Sequence, residues 1–270
     1  MASLLRTKPA TPLDPQTTAV QPNRIGLVED QPVVSSGLTA WINQEQDLQV
    51  CGIARDYASA LEMMEALNPD LIISDIGLYG RDGLELLKAI KNRRRQQRVL
   101  ILSAEDESLY APRALRAGAS GYVMRHASME TLLTAIHKVL EGEIYLSEAM
   151  GKRMMQRLFD RPTPALDLLE PLSDRELAVF RMIGQVKSTR EIATELQLSI
   201  KTVEAHRAHL RKKLHLRNGR ELLRHALSRQ LDEVSVECDS SDTVQTPAHS
   251  AHWQPVAVER PFDPEGVRLV

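Results

Sequence analysis

The chain has 270 residues, a length that suits two domains better than one. Its formal charge of −2 hides an uneven layout. Residues 24–142 carry slightly more acid than base, residues 172–231 carry roughly twice as many Lys and Arg as Asp and Glu, and the tail from Asp232 to Val270 turns acidic again. Cys51 lies in an apolar run, where burial is expected, and Cys238 lies in a polar tail. Neither has a metal-ligand spacing, and two cysteines make no disulfide framework. No apolar run approaches the ~18 residues that span a bilayer, and the N-terminus lacks the apolar core of a signal peptide. A cytoplasmic protein without membrane contact is expected, and the basic segment suits a polyanion partner.

Residues 1–22, rich in Pro, Thr and Gln and without periodicity, are expected to be disordered. From residue 23 the pattern changes. Short apolar runs at Ile25–Val28, Leu48–Ala54, Leu71–Ser74, Val99–Ser103 and Gly121–Met124 alternate with amphipathic stretches. These begin at Val33, Ala58, Leu84, Leu109 and Met129. Five strand-like and five helix-like segments predict an α/β domain over 23–142, with a parallel doubly wound sheet covered on both faces. Residues 143–171 read as a linker with a short helix near Ser147–Leu158 and a break at Arg161-Pro-Thr-Pro164. Residues 172–231 carry only helical signals, predicting an all-α four-helix domain. Ser173-x-x-Glu176 and Ser188-x-x-Glu191 are capping boxes, Asn218-x-x-Glu221 is a similar start, and Ser199 can cap a helix that begins near Lys201. Residues 232–270 are expected to be disordered.

In an open parallel sheet, chemistry sits at the carboxyl ends of the strands. Those ends carry Glu29-Asp30, Asp75, Ser103 and Tyr122, with Arg125 just beyond. Three carboxylates on one edge repel each other unless a cation joins them, and hard oxygens with room for water suit Mg²⁺. Taken singly, each residue also has a plain structural reading: Asp30 as an N-cap, Asp75 as a strand-closing turn residue, Ser103 as a helix cap. Their conjunction on one edge favours chemistry.

These residues resemble the receiver domain of two-component response regulators. The resemblance rests on Glu29-Asp30, on Leu71-Ile-Ile-Ser-Asp75-Ile-Gly-Leu78 followed by Asp82-Gly83, on Ser103-Ala104, and on Ala117-Gly-Ala-x-Gly-Tyr122. It implies that Asp75 accepts a phosphoryl group from a sensor histidine kinase. It also implies that Glu29, Asp30, Asp75 and the Gly77 carbonyl hold Mg²⁺, that Ser103 bonds the phosphoryl group, and that Tyr122 turns inward as the switch is thrown. The chain departs from the family at Glu29, where Asp is commoner, at Tyr79, where Pro is usual, and at Arg125, where lysine is usual. Lysine is a compact point charge and arginine a planar fork, so the geometry at Arg125 must differ.

Residues 172–230 resemble the LuxR-type helix-turn-helix output domain of the NarL/FixJ family. This rests on Leu172-Ser-Asp-Arg-Glu176, Glu191-Ile-Ala193, Ser199-x-Lys201-Thr-Val-Glu-Ala-His206 and Arg211-Lys-Lys-Leu214. Val186 stands where the family has Gly, with Gly184 placed to rebuild that turn. On a helix from Lys201 to Lys213, Val203, Leu210 and Leu214 face the core, and Lys201, Glu204, Ala205, Ala208, Arg211 and Lys212 line the opposite stripe. Such a helix enters the major groove. Glu204, Ala205 and Ala208 are assigned to base edges. Lys201, Thr202, Arg207, Arg211 and Lys212 are assigned to phosphates, which position without specifying. His206 is read as a wedge against the neighbouring helix, and Arg93-Arg94-Arg95 as a solvated loop.

The expected function is a transcription factor of a two-component phosphorelay, not an enzyme beyond self-phosphorylation and dephosphorylation at Asp75. Expected partners are the kinase, duplex DNA, a second copy of the chain and RNA polymerase. Two alternatives stand beside it: a receiver-like dimerisation module that is never phosphorylated, which Arg125 and Tyr79 would suit, and a phosphohydrolase with Asp75 as nucleophile. Against the second, the position two residues on is Gly77 rather than an acid.

Overall fold

In the computed structural model of the chain, residues 21–78, 82–159, 169 and 171–228 are described. The expected disorder at 232–270 and through residue 20, the break at 161–164, Tyr79 and Cys238 lie outside them.

The first domain alternates strand and helix without interruption: β1 (Asn23–Val28), α1 (Pro32–Ile42), β2 (Leu48–Ala54), α2 (Tyr57–Leu67), β3 (Leu71–Ser74), α3 (Gly83–Arg93), β4 (Arg98–Ser103), α4 (Glu107–Arg116), β5 (Gly121–Met124) and α5 (Met129–Leu140). Local chemistry starts the helices. Pro32 opens α1, and Asp56, Asp82, Asp106 and Ser128 accept main-chain N–H bonds at the starts of α2, α3, α4 and α5. The sheet is five-stranded in the order β2-β1-β3-β4-β5, and all its pairings are parallel. This is the doubly wound flavodoxin-like order.

Successive strand residues serve opposite faces, so the strands are apolar on both sides. Ile25, Leu27, Leu71, Ile73, Leu100, Leu102 and Val123 pack with Leu38 and Ile42 of α1 and Leu132, Ile136 and Val139 of α5. Val28, Ile72, Val99, Ile101 and Tyr122 join the helices of the other face. Cys51 departs from expectation: it is only half-buried. The reason is its strand, because β2 lies at the edge of the sheet and is covered less completely than β3.

A helix α6 (Glu148–Phe159) follows, within one residue of the expected start and end. The second domain contains α7 (Asp174–Gly184), α8 (Thr189–Glu195), α9 (Ile200–Lys213) and α10, over 219–228. Ser173 and Ser188 form full capping boxes with Glu176 and Glu191, and Ser199 caps α9 through Thr202 N–H. Asn218 accepts from Glu221 N–H at 3.0 Å, opening the last helix.

Gly184 does not rebuild the turn after α7, because it is still helical. Val186 itself adopts the left-handed conformation, at φ 59°. Lys187 N–H bonds back to Met182 O and Val186 N–H to Ile183 O, the wrap that glycine normally makes at a helix end. A β-branched residue there is strained by roughly 1 kcal/mol or more. Val186 is largely exposed, so little packing offsets the strain. Val186→Gly is therefore expected to stabilise the second domain by about 1 kcal/mol, read as a rise of several degrees in its calorimetric midpoint. An unchanged or lower midpoint contradicts the strain.

Candidate functional site

Strand register brings the expected acids together. Val28 lies opposite Ser74, Ser74 opposite Ile101, and Ser103 opposite Met124. The residues after these ends, Glu29, Asp30, Asp75 and Arg125, therefore share one edge with Ser103. Glu29, Asp75 and Ser103 are buried and Asp30 is half-buried. Asp75 Oδ1 accepts from Ile76 N–H at 2.7 Å, and Glu29 Oε1 accepts from Gln31 N–H at 3.0 Å.

The other oxygens meet one cation. Arg125 Nη2 lies 2.7 Å from Glu29 Oε2 and 2.8 Å from Asp75 Oδ2. Its main-chain N–H bonds to Ser103 O at 2.8 Å, which fixes where the side chain starts. Its Nε is buried without a hydrogen-bond partner. Burial pushes the Glu29 carboxyl above its ordinary value, against the pull of Gln31 N–H and Arg125. Glu29, Asp30, Asp75 and the main chain at Gly77 are the hard-oxygen set that Mg²⁺ takes, so the donor chemistry fits the ion. Arg125 already engages one oxygen of each of two carboxylates that such an ion would draw on.

Tyr122 is completely buried, with its ring turned in. Its hydroxyl donates to the Glu105 carbonyl at 2.7 Å, and burial holds its pKa well above the ordinary value. Gly83 is required by close approach. A Cβ there would stand 2.2 Å from the Asp75 carbonyl oxygen, so only glycine lets α3 start against the Asp75 loop.

Sequence reasoning gave no role to three charged residues of this pocket, although Asp82 stood in the motif that follows Asp75. Glu105, just past Ser103, accepts from Arg181 Nη1 of α7 at 2.7 Å, and burial raises its pKa. Asp82 caps α3 and is buried, which pushes its pKa up to about 6. Burial works against the charge of Arg181, but Glu105, Tyr110, Asp82 and Asp75 outweigh it and push its pKa up. The one available signal was position, since Glu105 and Asp82 both lie in loops at the carboxyl edge.

In the second domain, Val203 and Leu210 of α9 are fully buried and Leu214 nearly so. Lys201, Glu204, Ala205, Ala208 and Lys212 are exposed, and Thr202, Arg207 and Arg211 are half-buried. The Thr202 hydroxyl lies 2.7 Å from that of Ser199, and Glu204 Oε1 accepts from Thr189 Oγ1 of α8 at 3.2 Å. The stripe and the capped N-terminus thus form one basic surface with α8 behind it. His206 is half-buried with Nδ1 in the interior, and its desolvation lowers its pKa, as suits a wedge. Glu176, His206 and His209 place ligand-type atoms within 4.8 Å of one another. Glu176 Oε2 is already taken by Ser173 N–H at 2.8 Å and Lys213 Nζ at 2.6 Å, so this carboxylate clamps α7 to α9. The arginine run is not wholly loop: Arg93 is the last residue of α3 and pairs with Glu65 at 2.9 Å, while Arg94, just past the helix, bonds Asn68.

Fold and site together define a signalling protein with an acidic pocket in one domain and a basic recognition helix in the other. Residues 25–137 match the response regulator receiver domain, and residues 170–226 match the bacterial regulatory proteins of the luxR family. The chain is 34% identical over 214 residues to the Fimbriae Z protein of Salmonella typhimurium, covering 78% of this chain and all of that one. It is 31% identical over 215 residues to the oxygen regulatory protein NreC of Staphylococcus aureus, covering 78% and 99%. In fold it resembles RcsB from Salmonella enterica serovar Typhimurium bound to promoter rprA in the presence of a phosphomimetic. That match has a TM-score of 0.57 and 21% identity, covering 77% of this chain and 99% of that one. The chain belongs to the NarL/FixJ family of response regulators, transcription factors with a receiver and a LuxR-type DNA-binding domain. These are domains of a regulator rather than of a classical enzyme, and neither alternative reading is favoured. Among the described residues, no helix is long and apolar enough to cross a membrane.

Proposed function

We propose that Asp75 is the phosphoacceptor and that its phosphorylation tightens DNA binding by α9. The observation that carries this reading is the convergence of Glu29, Asp30, Asp75 and Ser103 on one sheet edge with Arg125 bridging two of the acids. In the reaction, an Asp75 oxygen attacks the donor phosphorus. The bond from phosphorus to the leaving group breaks, the leaving group departs with the electron pair, and an acyl phosphate remains. Magnesium, when bound, neutralises charge on the transferring oxygens, and Glu29, Asp30, Asp75 and the Gly77 carbonyl are the residues that would hold it. Arg125 and the Ser103 hydroxyl then face the new dianion. Water attack on the phosphorus returns the aspartate and releases phosphate. This is self-dephosphorylation rather than turnover of an external substrate.

The donor is a sensor histidine kinase in the cytoplasm, and the output is duplex DNA bound by a pair of chains that engages RNA polymerase. Lys201, Thr202, Arg207, Arg211 and Lys212 take phosphates, and Glu204, Ala205 and Ala208 take base edges. Tyr122 is already turned in, and Arg125 already satisfies Asp75 and Glu29, so the resting chain lies partway toward its active arrangement. The DNA affinity of the whole chain is thus expected to rise only about fivefold on phosphorylation, the low end of ordinary couplings. Titration of a selected duplex with and without acetyl phosphate and Mg²⁺ checks this. Unchanged affinity in a fully phosphorylated sample contradicts the proposal.

A further inference from the structure

Five charged residues join α7, and the segment before it, to the first domain. Arg113 of α4 donates to the carbonyls of Leu169 and Leu172, each at 2.8 Å, and to Asp174 at 3.0 Å. Lys88 of α3 also pairs with Asp174. At the other end of α7, Arg181 meets Glu105 at 2.7 Å, with both side chains less than a fifth exposed. Arg181 Nη1 comes within 3.9 Å of where a Cβ on Gly77 would stand, two residues beyond Asp75. Arg181 thus spans the gap between the loop after β3 and the loop after β4, the two loops that frame the acidic pocket. The recognition stripe of the same domain is left out of this docking: Lys201, Glu204, Ala205, Ala208 and Lys212 are exposed.

We propose that the output domain caps the phosphoacceptor pocket, with Arg181 as the closing residue, so that docking restrains phosphorylation of Asp75 rather than masking the DNA-binding helix. The inference rests on Asp75 as the acceptor. A phosphodonor carries at least two negative charges and a leaving group, and both need room at the strand ends beside which the Arg181 side chain now lies. Glu105 makes the cap sensitive to the state of the receiver. Its carbonyl accepts the Tyr122 hydroxyl at 2.7 Å, and its carboxylate holds Arg181. Drawing Ser103 toward a phosphoryl group displaces the loop that carries Glu105, which loosens Arg181. Phosphorylated chains stay uncapped, and unphosphorylated chains retain a usable DNA surface.

The test measures the initial rate of Asp75 labelling by acetyl phosphate with Mg²⁺ in four full-length chains: natural, Arg181→Ala, Glu105→Gln and the double variant. Each single change is expected to speed labelling on the order of tenfold, within the range of ordinary couplings. The double variant is expected to be no faster than either single one, because both remove the same contact. DNA affinity of the unphosphorylated chains is expected to stay within about twofold of the natural chain, since the stripe is free before and after. Equal labelling rates in all four chains overturn the cap. A rise in unphosphorylated DNA affinity that matches the rise in labelling overturns it too, because docking would then mask α9. If a thermal melt shows that Arg181→Ala is unfolded, Glu105→Gln against the natural chain decides alone. No labelling in any chain refutes Asp75 as the acceptor, and the cap falls with it.

Discussion

Replacing Arg125 with lysine is expected to raise Mg²⁺ affinity about tenfold and to widen the effect of phosphorylation on DNA binding by a similar factor. The natural guanidinium bridges Glu29 Oε2 and Asp75 Oδ2 at 2.7 and 2.8 Å, so an ion arriving at the proposed site would have to displace a cation from two of the acids proposed to hold it. Charge-assisted hydrogen bonds of this kind are worth about 1.5–3 kcal/mol, and 1.4 kcal/mol corresponds to about a tenfold change in affinity. A lysine ammonium is a compact, strongly hydrated point charge and lacks the planar fork that spans two carboxylates. It leaves the resting pocket less satisfied, and a ligand shifts an equilibrium only by its differential affinity for the two states. Isothermal titration with Mg²⁺, followed by DNA titration with and without phosphorylation, reads both effects. Weaker Mg²⁺ binding in the lysine variant, or a larger phosphorylation-dependent gain in the natural chain, sinks this account of Arg125.

Removing Glu204 is expected to relax base preference at one position of the DNA site, while removing Lys201 weakens binding to every sequence. Glu204 is exposed on α9, and its Oε1 is held by the Thr189 hydroxyl of α8 at 3.2 Å, which orients the carboxylate on the recognition face. A carboxylate aimed at the major groove accepts from a cytosine amino group, and one good base contact discriminates by about 1–3 kcal/mol. Lys201 lies exposed in the first turn of the same helix, and its proposed role is to meet the phosphate backbone, which carries no sequence information. Glu204→Ala is therefore expected to lose about tenfold or more in discrimination at a single base pair. Lys201→Ala should lower affinity uniformly and reduce the slope of log affinity against log salt by about one. Selection from a random duplex pool, followed by salt titration, separates them. A Lys201→Ala chain with altered base preference and an unchanged salt slope would reverse the two assignments.

The strands, the helix caps and the acidic edge were legible because each depends on local pattern. The apolar runs of β3 and β4, the serines before α7, α8 and α9, and the residue types just past the strand ends all lie within a few positions of the structure they make. What escaped was set by tertiary context. Cys51 sits in an apolar run whose strand took the edge of the sheet, so the run did not imply full burial. The turn after α7 followed helix length rather than glycine position and forced Val186 into a left-handed conformation. Glu105 and Arg181 are 76 positions apart, and no periodicity announces a contact that exists only because two domains dock.

The most direct measurement is the intact mass of the full chain after incubation with acetyl phosphate and Mg²⁺, repeated on Asp75→Asn. One added phosphoryl mass on the natural chain is expected, mapped to Asp75, with none on the variant. A label that survives in Asp75→Asn, or one that maps to Ser103, contradicts the account.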